Sequence, residues 1–158
     1  MALTDETKQS IITALNTSSL DESFIEAVLK RLDSFGYEIK ESDAWMIGFA
    51  MQKVENTIKN KCNISEIPDG LFHTAVDMSC GEFLFAKKQT GQLEIGDLDL
   101  TGAISSIKEG DTQVNFNGDE SDSDKVDTLL NYLLNSGKGD LVCYRTVSYT
   151  HLTLPTIA

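Results

Sequence analysis

Residues 69–88 (DGLFHTAVDMSCGEFLFAKK) read as a helix with almost no polar face, and this constrains the rest of the chain. Leu71, Phe72, Ala75, Val76, Met78, Cys80, Phe83, Leu84 and Phe85 surround it nearly all the way round. Such a helix has to be covered on more than one side, by its own bundle or by another subunit. Ser79, Cys80 and Gly81 make a small patch at mid-helix that admits a neighbouring backbone. A glycine there costs ~1 kcal/mol of helix propensity relative to alanine, so a packing reason is expected.

The segments before it are helical too. Thr4 or Asp5 caps a first helix running through Leu15, closed by a turn at 16–18. Ser19 and Glu22 stand at capping-box spacing, each able to satisfy an orphan N–H. They open a second helix with Phe24, Ile25, Val28, Leu29 and Leu32 on one stripe, stopped at Gly36. Ser42 or Asp43 caps a third, whose Ile47, Met51, Val54 and Ile58 recur at helical spacing. Trp45 and Phe49 are expected to widen that apolar face, with Gln52, Lys53, Glu55, Asn56 and Lys59 on the polar side. Residues 64–69 connect it to the fourth, and Pro68 stands where a helix can begin.

After Gly91 the character changes. Residues 104–116 carry a β-hairpin signal: Glu109, Gly110 and Asp111 form the turn, and Thr112, Val114 and Phe116 alternate with polar residues. The alternative makes 99–107 helical and leaves only 112–116 extended. Residues 117–124 (NGDESDSD) form an acidic loop, and Ser123 caps a last helix with Val126, Leu129, Leu130, Leu133 and Leu134 on one face. Residues 141–144 read as a short extended exit. The expected fold is mainly α, a small bundle of four to five helices with a β-hairpin insertion near 104–116.

Residues 147–158 (VSYTHLTLPTIA) stand apart. They resemble the translation of a transposase adaptor used in sequencing-library preparation, matching from Val147 through Thr156, and the expectation is a non-native tail. The competing reading is a native C-terminal strand, since Tyr149, Leu152 and Leu154 suit one. Setting the tail aside leaves 158 − 12 = 146 residues, one ordinary domain over 1–146. The tail has no charged residue, so the net charge of −12 belongs wholly to that domain. So acidic a chain lacks the clustered cations that grip nucleic acid. No apolar run approaches the roughly 18 residues of a membrane span, and the N-terminus has no secretory pattern. Cys62, Cys80 and Cys143 are odd in number and widely spaced, which fits three ordinary buried thiols in a reducing cytoplasm.

Residues with chemistry are few. Asp119, Glu120, Asp122 and Asp124 are hard oxygen ligands, but they lack the EF-hand pattern, and a solvated loop is the better reading. His73 and Asp77 stand four apart on one face with Glu82 beyond, yet no second ligand cluster joins them. Asp77 and Glu82 are better read as ion-pair partners at a helix interface or as solvent-facing groups. There is no Gly-x-Ser-x-Gly, no Cys–His pair and no phosphate-binding glycine loop. Lys87 and Lys88 are a basic pair at a helix C-terminus, where the macrodipole favours cations. The expectation is a non-enzymatic protein with no catalytic, cofactor-binding or metal residues. An all-round apolar helix and a hairpin without a sheet point instead to assembly, because an isolated hairpin is marginal in water.

Residues 62–71 (CNISEIPDGL), 77–85 (DMSCGEFLF) and 87–92 (KKQTGQ) together resemble the small, mainly helical head–tail connector proteins of tailed bacteriophages. Residues 106–116 (SIKEGDTQVNF) resemble that family's hairpin segment, and 140–145 (DLVCYR) its usual ending. The resemblance implies a ring, typically dodecameric, beneath the portal at the capsid vertex, with DNA passing through its channel and a tail or stopper protein below. It implies the virion as the final location, the host bacterial cytoplasm during assembly, and no membrane partner. A heterologous interface that closes by rotation makes such a ring. Candidate subunit-interface residues are Phe72, Val76, Ser79, Cys80, Gly81 and Phe83 on the apolar helix, with Ile107, Val114 and Phe116 on the hairpin. Acidic groups facing the channel would let DNA slide.

Overall fold

In the computed structural model, residues 5–15, 20–101 and 121–145 are described. Among the described residues, helices follow in the order α1 (Asp5–Ala14), α2 (Glu22–Ser34), α3 (Ala44–Cys62), α4 (Phe72–Gln89), α5 (Asp122–Asn135) and α6 (Lys138–Cys143). One-turn 3-10 segments at Glu41–Asp43, Asp69–Leu71 and Ile95–Asp97 join them, and no strand occurs among the described residues. The bundle is therefore mainly helical, as its periodicity predicts. The hairpin expected over 104–116 and the tail at 147–158 lie outside the described residues.

The α2 stripe behaves as its spacing dictates: Phe24, Ile25, Val28, Leu29 and Leu32 are all buried. Its start differs from expectation. Asp21 is the N-cap, in extended backbone, and its carboxylate accepts the Phe24 N–H at 3.0 Å and the Ser23 hydroxyl at 2.7 Å. Glu22 thus falls in the first turn, two positions before a capping box with Ser19 would need it. Those two bonds, Ser23 first, hold the Asp21 carboxyl below its ordinary range. Beyond α2, Gly36 takes φ +80, and a Cβ there would lie 2.7 Å from the Asp99 backbone nitrogen. Only glycine lets residue 99 come in and donate its N–H to the Phe35 carbonyl at 2.8 Å.

The helix α4 is the centre of the molecule. It packs on α3, α5 and α2, while α1 covers α3. Ala75, Val76, Met78, Ser79, Cys80, Gly81, Phe83, Leu84 and Lys87 are buried on it. Most of its apolar circumference is thus covered by the chain's own bundle, with Phe72 half-buried and Phe85 exposed. At Gly81 α5 comes close: an added Cβ would stand 2.9 Å from the Leu133 Cβ. This is the packing reason a mid-helix glycine requires.

α3 and α4 run antiparallel. At one end Lys87 meets Asp43; at the other, the Cys62 thiol donates to the Leu141 carbonyl at 3.3 Å, docking α6. Residues 141–143, expected to be extended, belong to that last helix, because burying Leu141 against α3 favours one helical turn. On α5 the cap is Ser121 and not Ser123: its oxygen accepts the Asp124 N–H at 3.3 Å. Val126, Leu129, Leu130 and Leu133 are buried as expected, with Leu134 half-buried.

Candidate interaction surface

The expected interface residues of α4 lie inside the molecule. Val76, Ser79, Cys80, Gly81 and Phe83 are buried within the single chain. The Ser79 hydroxyl donates to the Ala75 carbonyl at 2.7 Å, and the Cys80 thiol points to the Val28 carbonyl at 3.7 Å. Phe72 is half-buried, its ring edge-on to Phe24 at 5.6 Å. Ile107, Val114 and Phe116 lie outside the described residues.

Elsewhere the bundle leaves apolar surface in water. Trp45 is 66% exposed and Phe49 54% exposed, and their rings stack with centroids 5.4 Å apart and planes 17° from parallel. Neither widens the buried face of α3. Each stands two residues from Ile47, about 200° round a helix of 3.6 residues per turn, and so directly opposite the stripe. That rotation was present in the spacing and is the signal that locates them. Phe85 on α4 is also exposed, at 42%. Lys53 pairs with Glu82 at 2.8 Å, and Phe49 and Phe85 each lie one turn from that pair toward the same end of the two antiparallel helices. Aromatic residues of this kind are enriched where interfaces concentrate their binding energy.

The polar candidates are largely paired. Asp77 takes the Arg31 Nε at 2.8 Å and Glu82 takes Lys53, so both are ion pairs between helices, while His73 is exposed. Glu55, expected on the polar side, is buried and held by Lys59 at 2.7 Å. Lys87 is buried against Asp43, Lys88 pairs with Asp127 of α5, and Arg145 is exposed. Asp122 and Asp124 sit in the first turn of α5; Asp119 and Glu120 lie outside the described residues.

No group of three or more His, Cys, Asp or Glu among the described residues could hold a metal ion. Burial pushes the thiols of Cys62 and Cys80 above their ordinary value, so neither is presented as a thiolate. Cys143, expected to be buried, is exposed because it lies on the outer side of α6 from Leu141. No helix among the described residues is long and apolar enough to cross a membrane. The described residues present an exposed aromatic pair near the start of α3 and, between α2 and the start of α4, a groove lined by Ala27, Lys30, Arg31, Phe72, His73 and Val76. Comparisons with protein-family models, curated proteins and solved structures find no match to this chain.

Proposed function

We propose that the chain is a non-enzymatic structural subunit of a bacteriophage head–tail connector, a ring of identical copies between portal and tail through which DNA passes. The single observation that carries this reading is the exposed Trp45–Phe49 stack on a bundle whose core is already closed. A monomer gains nothing by holding two large stacked rings in water, whereas a neighbouring subunit would desolvate them. The order and spacing of the segments at 62–71, 77–85, 87–92 and 140–145 support the connector family over other assemblies. In this reading the net charge of −12 keeps the channel from holding DNA.

The test is assembly state. Size exclusion with light scattering, followed by negative-stain imaging, is run on the chain alone and with a portal protein. Closed rings in either sample support the reading. A monomer or dimer in both contradicts it and favours a helical interaction or regulatory module of a prophage, which would use the same surface.

A further inference from the structure

We propose that the groove between α2 and α4 is a socket for the acidic first turn of α5 from a second copy of this chain. The inference rests on the ring reading and names the two surfaces that meet. The groove holds about 490 Å³. Its floor is apolar, from Ala27, Phe72 and Val76, and its lip carries Lys30, Arg31 and His73.

The lip is unusual for this chain, which has 13 basic residues against 25 acidic ones. Only two pairs of basic residues are adjacent in sequence, Lys30-Arg31 and Lys87-Lys88. The second pair is engaged at the other end of α4, by Asp43 and Asp127. Asp77 lines the groove and offsets one charge, holding Arg31, whose guanidinium also lies 4.8 Å from the Phe35 ring centre. Lys30, with its side chain 72% exposed, has Glu26 at 3.5 Å, a surface contact of small energy. The groove therefore presents an ordered guanidinium beside a loosely committed ammonium.

The complementary surface is the start of α5. Asp122 is 63% exposed and reaches Lys125 only at 3.5 Å, with Asp124 two residues on, its carboxylate accepting the Ser121 hydroxyl at 2.6 Å. These carboxylates cannot reach the groove of their own chain. Asp127 anchors the start of α5 to Lys88, fifteen residues along α4 from His73 (88 − 73 = 15). At a rise of 1.5 Å per residue the two ends stand ~22 Å apart. Turn and socket meet only between copies. Because they are different surfaces, the contact is head-to-tail, the kind that closes into a ring. Asp122 and Asp124 then belong to the subunit boundary and not to the channel wall.

The experiment is a charge swap in the full chain, read by sedimentation velocity across protein concentration in low salt, about 20 mM, where surface charges are least screened. Lys30→Glu and Asp122→Lys each raise the concentration needed for assembly about tenfold, equivalent to ~1.4 kcal/mol. The double variant, both changes in one chain, returns toward the wild type. Lys30→Gln and Asp122→Asn give smaller shifts of the same sign, and circular dichroism confirms an intact bundle in each. Assembly unchanged in both single variants, or broken in both without rescue in the double, overturns this contact and leaves the ring reading standing. A wild-type chain that stays monomeric here and with portal overturns both.

Discussion

Lys87 and Asp43 form an ion pair inside the molecule, Nζ to Oδ1 at 2.5 Å, with side-chain exposures of 8% and 1%. It ties the last turn of α4 to the first residue before α3. Asp43 Oδ1 makes no hydrogen bond, so the ammonium is what compensates it. Its other oxygen accepts the Tyr37 hydroxyl at 2.9 Å and the Lys40 N–H at 3.0 Å.

Removing one partner strands the other. Asp43→Asn leaves Lys87 buried with the Gln92 Oε1 at 3.1 Å and the Phe83 ring centre at 5.9 Å but no countercharge, and is expected to cost about 3–5 kcal/mol. Lys87→Met should cost less, because Asp43 keeps two donors. Urea unfolding of both variants checks the order; equal or reversed costs would mean the pair is not what holds this corner.

Tyr37 makes stability depend on pH at the alkaline end. Burial first, then the Asp43 hydrogen bond and charge, push its phenol well above the ordinary value of 10.0. From about pH 10 the unfolded chain releases this proton while the folded chain keeps it, so stability falls as pH rises toward the folded value. Tyr37→Phe is expected to lose about 1 kcal/mol at neutral pH and to show a shallower alkaline decline. Parallel alkaline slopes for the two proteins would exclude the assignment.

Gly81 leaves no room for a methyl group. Gly81→Ala places a Cβ 2.9 Å from the Leu133 Cβ, an atom fixed to its backbone, so α4 and α5 must separate. Alanine gains ~1 kcal/mol in helix propensity, yet the net is expected to be a loss of about 1–3 kcal/mol. A thermal scan showing stabilisation would refute the close approach.

Thiol accessibility separates the cysteines. Cys62 and Cys80 are 0% exposed and Cys143 is exposed, so an aromatic disulfide reagent should titrate one thiol in the native chain and three in denaturant. Two or three fast native thiols would contradict the docking of α6 on Cys62.

Much of the bundle was legible because amphipathic spacing states which face is buried. The stripes of α2 and α5 and the row from Ile47 to Ile58 are determined that way. Two features, the cover of α4 and the caps, needed the third dimension, whereas the position of Trp45 and Phe49 was present in the spacing. The apolar circumference of α4 signals coverage on several sides, but spacing does not say whether the cover comes from the same chain. Trp45 and Phe49 follow a habit of assigning aromatics to the core, although their rotation from Ile47 puts them outside. The caps of α2 and α5 shifted by two residues because Asp21 and Ser121 compete with Ser19 and Ser123 for the same role, and local hydrogen bonding decides between them.

The proposed ring requires that another subunit cover the Trp45–Phe49 surface. Its most direct measurement is light scattering with negative-stain imaging on the wild type and on Trp45→Ala/Phe49→Ala, with portal protein present in both. Both side chains are mostly exposed, so the variant should melt within a few degrees of the wild type. Closed rings are expected for the wild type and dispersed, folded monomers for the variant. Rings of equal size and yield from both proteins would contradict it.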